Sequence, residues 1–404
     1  MEKVNVAVIG LGLRGHGILC GLLLNMDNVN VVSVCDVYED RTKEAADQVE
    51  KKTGKRPFET LSYEEAIDRT DVDAVLILSS WETHIPICLY AMEHGKAVGM
   101  EVCGAYSVED CWNMVNTQER TGVPFMFLEN CCFGRNELMV LNMVKQGIFG
   151  EVVHATGGYC HDLREEIGTG KEARHYRLRN YLSRNCENYP THELGPIANV
   201  LGINRGNRML RLVSMSTKAV GMNAYARSKP DHIDPILQTA KFAQGDVVNT
   251  LISCENGETI SLILDTTLPR PYSRCFTIRG TKGEFTEDNR SIYLDSDFTV
   301  EDHFKWQPQW NNVEKYREKY EHPIWQKYLK EGIRGGHGGM DGLVYDAFIE
   351  SVRTGTPCPI DVYDAAAWMC VTPLSEMSIA GGSVPVDIPD FTKGAYKNRT
   401  LTAF

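Results

Sequence analysis

The chain opens on an apolar, β-branched run from Val4 to Ile9, the pattern of a strand buried on both faces. It breaks at Gly10-x-Gly12-x-x-Gly15, and an apolar helical stretch follows through Leu24. Further apolar strands are predicted at Val29–Cys35, Val72–Leu78, Ala97–Glu101 and Phe125–Leu128. Helical segments at Arg41–Lys52, Ser62–Asp68, Ile85–His94 and Ser107–Arg120 separate them. Repeated strand–helix units with short turns predict a doubly wound parallel sheet. After residue 130 the rhythm changes: a helix at Asn136–Gln146, a strand at Val152–Gly158, then an irregular polar section from Tyr159 to about Asn188. Strand-like runs follow at Leu210–Thr217, Val247–Cys254, Thr259–Asp265 and Ser273–Arg279, with turns such as Glu255-Asn256-Gly257-Glu258. Consecutive strands of this kind predict a mostly antiparallel sheet. Residues 298–332 read as partly helical, Gly335–Gly339 as a flexible break, and Leu343–Arg353 and Val362–Ser378 as helices. The expected fold class is α/β. A doubly wound domain spans 1–130, and an α+β domain with an open, mostly antiparallel sheet spans 131–404.

Composition narrows the function classes. A chain of 404 residues suits about two domains. With 42 basic and 54 acidic residues the net charge is −12, and no Lys/Arg-rich block appears. Nucleic acid and a polybasic membrane contact are therefore not expected partners. No apolar run reaches the length of a membrane span, and the strand beginning at Val4 leaves no room for a signal peptide. Thirteen scattered cysteines without a C-x-x-C motif suggest reduced thiols and a cytoplasmic location. The histidines show no ligand spacing such as H-x-x-x-H, so no metal is expected.

Strand, glycine turn and helix start together form a dinucleotide-binding fingerprint. Gly10 permits the turn, Gly12 lets the backbone approach a pyrophosphate, and Gly15 lets helix and strand pack closely. The second strand ends in Asp36, where a carboxylate meets adenosine ribose hydroxyls and favours NAD over NADP. The carboxyl ends of such strands line one crevice. Here they carry Gly10–Gly15, Asp36, Ser79–His84, Glu101 and Glu129-Asn130.

Several segments in chain order carry a wider resemblance. They are Trp81-Glu82-Thr83-His84, Glu129-Asn130-Cys131-Cys132, Tyr159-Cys160-His161-Asp162-Leu163-Arg164, Tyr189-Pro190-Thr191-His192, Arg270-Pro271-Tyr272-Ser273, Gly336–Asp341 and Asp361–Trp368. With them the chain resembles the Gfo/Idh/MocA oxidoreductase superfamily, a Rossmann domain followed by an open-sheet domain. More narrowly it resembles glycoside hydrolase family 109, the NAD-dependent α-N-acetylgalactosaminidase-like enzymes. The resemblance implies that Leu13, Arg14, Asp36, Trp81, His84, Glu101, Val102 and Asn130 contact NAD beside Gly10, Gly12 and Gly15. It also implies that Tyr159, His161, Arg177, Tyr189, Pro190, Thr191, His192 and Tyr272 contact the sugar, with Glu129 beside the site. Superfamily dehydrogenases have Glu-Lys-Pro where this chain has Glu101-Val102-Cys103, which disfavours an ordinary dehydrogenase. Glu193 stands where the family has glycine, and Asn188 where it has leucine; a carboxylate there would alter substituent specificity. Members often pair through the open sheet, so a homodimer is expected.

The implied chemistry is redox-neutral hydrolysis of a small carbohydrate or glycoside. NAD takes a hydride from C3, the ketone acidifies C2–H, the C1 substituent leaves by elimination, water adds, and the hydride returns. His192 is the candidate at O3, since imidazole titrates near neutrality. Tyr159 is the candidate at C2–H, needing Arg177 or His161 to lower its phenol. Tyr189 and Tyr272 would orient the sugar. The alternatives are an NAD-dependent sugar or polyol dehydrogenase and a non-catalytic NAD or sugar sensor.

Overall fold

The computed structural model describes residues 2–299, 301–302, 305 and 307–400. The described chain divides into two compact units, one of residues 2–133 and 328–366, the other built from the described residues of 134–327 and 367–400.

Among the described residues, the first unit holds a six-stranded parallel sheet in the order β3-β2-β1-β4-β5-β6. The strands are β1 (Val4–Ile9), β2 (Val29–Cys35), β3 (Phe58–Thr60), β4 (Ala74–Ile77), β5 (Ala97–Met100) and β6 (Phe125–Phe127). β4 and β5 are buried at every position, as strands covered on both faces must be. Helices Leu13–Gly21, Glu39–Thr53, Trp81–Glu93 and Val108–Thr121 supply the crossovers. The last starts at a reciprocal capping box between Ser107 and Asp110 and stops at the left-handed Gly122. Residues 328–366 return to this unit. Helix Met340–Thr354 packs Phe348 where a Cβ on Gly99 of β5 would stand, 2.9 Å from its ring. Only glycine permits that approach.

Among the described residues, the second unit holds an eight-stranded sheet in the order β13-β12-β11-β7-β10-β9-β8-β14, antiparallel except for the β7/β10 pair. Its strands are β7 (Val152–Cys160), β8 (Met209–Ser216), β9 (Val247–Cys254), β10 (Thr259–Asp265), β11 (Thr277–Gly280), β12 (Gly283–Thr286), β13 (Ser291–Leu294) and β14 (Val386–Asp387). Exposure alternates along β9 and β10, so one face is covered and the other faces solvent. On the covered face lies helix Thr191–Leu201, whose residues are buried except for His192. Burying Leu194 and Ile197, both fully enclosed, stabilises this seat by about 1.5–3 kcal/mol each.

Both expected sheets are present. The run Ser273–Arg279 becomes strand only from Thr277, because Cys275 has φ 49° and breaks the extended backbone. Val362–Ser378 is two helices, Val362–Met369 and Val371–Ala380. Pro373 sits in the first turn of the second, where its missing N–H is harmless; inside one continuous helix its ring would strike the Met369 carbonyl. Gly335–Gly339 forms a turn built largely of left-handed residues, 335 and 337–339 all having positive φ.

Candidate active site

In the first unit the glycine turn joins β1 to helix Leu13–Gly21. Gly10 has φ +95°, and a Cβ on it would lie 2.4 Å from the Ser79 backbone nitrogen. A Cβ on Gly15 would overlap the Gly10 carbonyl oxygen at 1.8 Å. Both glycines are demanded by the fold itself. Gly12 is different: its Cβ would meet only the Arg41 side chain, no nearer than 3.5 Å, and its φ is −66°. Nothing in the protein's own packing requires glycine there, whereas a closely approaching phosphate would. The helix after it starts without a side-chain cap or an acidic residue in its first turn, and Leu13 is 87% exposed. Unsatisfied N–H groups and the positive end of the helix dipole remain for an anion. The donor set therefore fits a dinucleotide.

Asp36 is buried at the end of β2. It accepts the Leu11 N–H at 2.7 Å and the Tyr38 N–H at 3.0 Å, and Arg41 lies 3.9 Å away. The carboxylate thus ties the glycine turn to the next loop, a structural role alongside the ribose role expected of it. Arg14 lies between two carboxylates. Its Nε and Nη2 donate to Glu101 at 3.0 and 2.8 Å, and its Nη1 and Nη2 donate to Asp341 at 2.8 and 2.9 Å. Asp341 also accepts from Asn130 Nδ2 at 2.8 Å and lies 2.9 Å from His337 Nδ1. Burial alone would raise this carboxyl, but the hydrogen bonds from His337 and Arg14 hold it well below the usual range. Tyr345, fully buried, donates to Glu101 at 3.3 Å. Asp341 is thus the hub joining the glycine turn, the ends of β5 and β6, and the 335–339 turn.

Trp81 and His84 lie in the first turn of helix Trp81–Glu93 rather than in a preceding loop, both buried. His84 Nδ1 lies 2.9 Å from the Cys103 carbonyl and Nε2 3.0 Å from the Ser79 carbonyl. Burial lowers its basicity, so the neutral ring donates to one carbonyl at a time and braces the two loops. Val102 is buried and apolar, with no proton to give. Glu129, also buried, accepts the Cys131 N–H at 3.0 Å.

In the second unit the candidate sugar residues converge. Tyr159 is the last residue but one of β7 and stacks on Tyr189, with ring centroids 4.2 Å apart. His192 meets both rings edge-on, at 5.7 Å from Tyr159 and 4.8 Å from Tyr189. His161 lies edge-on to Tyr272 at 5.0 Å, and its Nδ1 is 3.3 Å from the Tyr159 hydroxyl. The Arg177 guanidinium lies over the Tyr189 ring at 4.9 Å. Its Nε is 2.5 Å from Glu166 Oε1, a close charge contact whose N–H is not aligned as a hydrogen bond. Pro190 and Thr191 are buried at the start of the helix that carries His192. Tyr272 is half exposed and closes the cluster on the solvent side. Burial pushes the Tyr159 phenol well up, and the Arg177 charge only partly offsets this. Contrary to the sequence-based expectation, Tyr159 is a neutral phenol here. His161 is lowered by burial and then by Arg177, which leaves its ring neutral beside that phenol.

Glu193 does not stand in this cluster as a free charge. It is fully buried against Gly157 of β7 and accepts the Ile263 N–H at 3.2 Å. Its carboxyl pairs with that of Glu187, which accepts the Tyr189 N–H at 3.3 Å. Burial pushes both carboxyls up, and Glu187 pushes Glu193 further, so the pair retains a proton at neutral pH. Asn188 donates to Gln244 at 3.2 Å and is likewise buried.

Comparison with known proteins covers both units. Residues 4–128 match the model of the oxidoreductase family with an NAD-binding Rossmann fold, and 133–398 match that of the glycosyl hydrolase 109 C-terminal domain. A glycosyl hydrolase family 109 protein of Stenotrophomonas maltophilia is 40% identical, covering 98% of this chain and 91% of its own length. An alpha-N-acetylgalactosaminidase of Shewanella oneidensis is 39% identical over 98% of this chain and 87% of its own. One of Tannerella forsythia is 36% identical over 97% and 88%. Among solved structures, a levoglucosan dehydrogenase in complex with NADH and levoglucosan superposes with TM-score 0.69 at 17% identity, covering 96% of this chain and all of that one. The scyllo-inositol dehydrogenase of Lactobacillus casei with bound NAD(H) and scyllo-inositol gives 0.67 at 14%, covering 96% and 99%. At these identities the two structures speak to fold alone. With both family models matched in order and relatives aligned along nearly its whole length, the chain belongs to glycoside hydrolase family 109 and is a glycosidase with an NAD-binding Rossmann domain.

Proposed function

We propose that this glycosidase cleaves α-N-acetylgalactosaminides and related glycosides by transient oxidation of the sugar, with NAD retained through the cycle. One observation carries the reading. The side chains gathered in the second unit are tyrosines, histidines and an arginine, suited to moving protons from hydroxyl and carbon acids. Two relatives that are alpha-N-acetylgalactosaminidases support the substrate class. Glu193, occupied by Glu187 and Ile263, supplies no charge that would oppose it.

Gly12, Leu13, Arg14 and Asp36 would hold the dinucleotide, with Glu101 and Asp341 fixing Arg14. When bound, the nicotinamide supplies a reversible two-electron acceptor for the hydride at C3. His192 takes the O3 proton as that carbon becomes a ketone. Tyr159 takes the C2 proton while passing its own to neutral His161, whose Nδ1 is already 3.3 Å away. This relay replaces the phenolate that burial forbids. Tyr189 and Tyr272 orient the ring, and the Arg177 charge steadies the enolate oxygen. Val102 supports a hydrolase over a dehydrogenase, since the proton-carrying lysine of the dehydrogenases is replaced by a buried apolar group. Met215 and Leu251, both more than half exposed on the solvent side of the second sheet, support pairing with a second copy.

The test is to incubate the enzyme as isolated with p-nitrophenyl glycosides and no added cofactor. Nitrophenol release without net NADH absorbance is the expected result. Release or NADH production consuming one NAD per turnover would convert the reading to a dehydrogenase.

A further inference from the structure

Two cysteines outside the sugar chemistry flank it. Cys160 follows Tyr159 at the end of β7, and Cys275 lies three residues beyond Tyr272. Their sulfurs are 3.6 Å apart. Two backbone features bring them together. Cys160 pairs with Ser273 in an antiparallel bridge, which brings the 273–275 segment alongside β7. Cys275 then takes φ 49°, a left-handed conformation costly for a residue with a side chain. The space between the strands comes from Gly158. A Cβ there would stand 2.9 Å from the Cys160 sulfur and 3.1 Å from that of Cys275, so any other residue would push the pair apart.

The chemistry of the two thiols is unequal. Cys160 is buried, while Cys275 is partly exposed. Cys275 is held below the usual thiol value, first by the hydrogen bond from Cys160 and then by Ser273, with the Arg270 charge also favouring thiolate. Cys160 is pushed up by the same contact and by burial. Cys35, Cys88, Cys186, Cys254, Cys358 and Cys370 are all raised by burial alone or with nearby charge. The partly exposed member of the pair is thus the nucleophile, and the buried member is placed to resolve it.

We propose that Cys160 and Cys275 form a modification site at which a low-molecular-weight disulfide such as oxidised glutathione converts the two thiols into an internal disulfide. The Cys275 thiolate attacks one sulfur of the small disulfide, forming a mixed disulfide and releasing one small thiolate. Cys160 then loses its proton and attacks the Cys275 sulfur, and the second small thiolate leaves and takes a proton. The two protein thiols lose two electrons in all, and the small disulfide gains them. The sulfurs need to close only from 3.6 Å to a bonding distance of about 2 Å. The inference stands on thiol geometry and does not depend on the proposed hydrolytic route.

The test exposes the full-length protein to glutathione redox buffers, blocks remaining thiols with an alkylating agent, and maps peptides by mass spectrometry. The expected product is a 160–275 cross-linked peptide pair, about two mass units below the sum of the dithiol peptides and reversed by reduced glutathione. Cys160→Ser should instead accumulate a glutathione adduct on Cys275, and Cys275→Ser should give neither adduct nor cross-link at Cys160. A Gly158→Ala variant should form at least tenfold less cross-link at the same redox ratio. Full alkylation of both cysteines across the oxidising range would overturn the proposal. So would stable glutathionylation of Cys275 in the wild-type protein, or an adduct-free Cys160→Ser protein that is otherwise folded by circular dichroism.

Discussion

Replacing Asp341 with asparagine removes the charge at the centre of the first unit's polar hub. The wild-type carboxylate receives two bonds from Arg14 and one from Asn130, and it contacts His337. Breaking one side of a buried ion pair costs about 3–5 kcal/mol. Two features reduce that figure: the Arg14 side chain is 32% exposed, and Glu101 still holds it. The expected loss at pH 7 is therefore about 2–3 kcal/mol, a fall of roughly 4–12 °C in melting temperature for a unit of this size. The pH dependence is the sharper part. Asp341 is held below its usual range in the folded protein, so its contribution is complete above the unfolded value near pH 4. It disappears as pH falls through the folded value. Asparagine does not titrate, so the gap between variant and wild type should be constant from pH 7 to 5 and smaller by roughly 1.3 kcal/mol at pH 3. Scanning calorimetry of both proteins at the three values reads this directly. An equal gap at pH 3 and pH 7 would refute the electrostatic account of the hub.

Gly12→Ala should fold with an unchanged apo melting temperature yet lose the stabilisation by NAD. Gly15→Ala, whose methyl would overlap the Gly10 carbonyl, should leave the first unit unfolded in circular dichroism. Glu193→Gln should have the opposite pH behaviour to Asp341→Asn. Because the Glu193 carboxyl is raised, the wild type loses stability as pH rises above about 4, so the variant should gain on it towards pH 9 and match it near pH 4, as read by thermal melts. Tyr159→Phe should bind the sugar while slowing exchange of C2–H with solvent by about 10²–10⁴-fold, measured by proton NMR; unchanged exchange would remove Tyr159 from that step. Size-exclusion chromatography with light scattering should give a dimer, and Leu251→Glu a monomer.

Much of this architecture is legible in the chain because it rests on local pattern. Short β-branched runs between glycine turns become parallel strands wherever both faces are covered, and β9 and β10 alternate because only one face is. What local pattern misses depends on distant partners. Asp341 gains its role from Arg14, 327 positions away, and the glycines around His337 look like a flexible break until that contact is known. β3 is three residues at a sheet edge, too short to signal itself. The return of residues 328–366 to the first unit is a packing outcome with no local mark. In the second unit, family motifs single out Tyr159, Tyr189, His192 and Tyr272 as candidates and the fold brings them together, while residue type alone cannot tell that burial raises the phenol. The same limit applies to Glu193, whose carboxyl is pushed up first by burial and then by a partner six positions earlier.

In the proposed cycle, electrons leave C3 of the sugar and return to it within one turnover. Hydrolysis of a glycoside deuterated at C3, run in heavy water and followed by NMR of the released sugar, tests it most directly. The product should keep its C3 deuterium, gain solvent deuterium at C2, and form more slowly than from the unlabelled glycoside. A product with its original C2 proton and no rate difference would mean direct displacement at C1, and the account would be wrong.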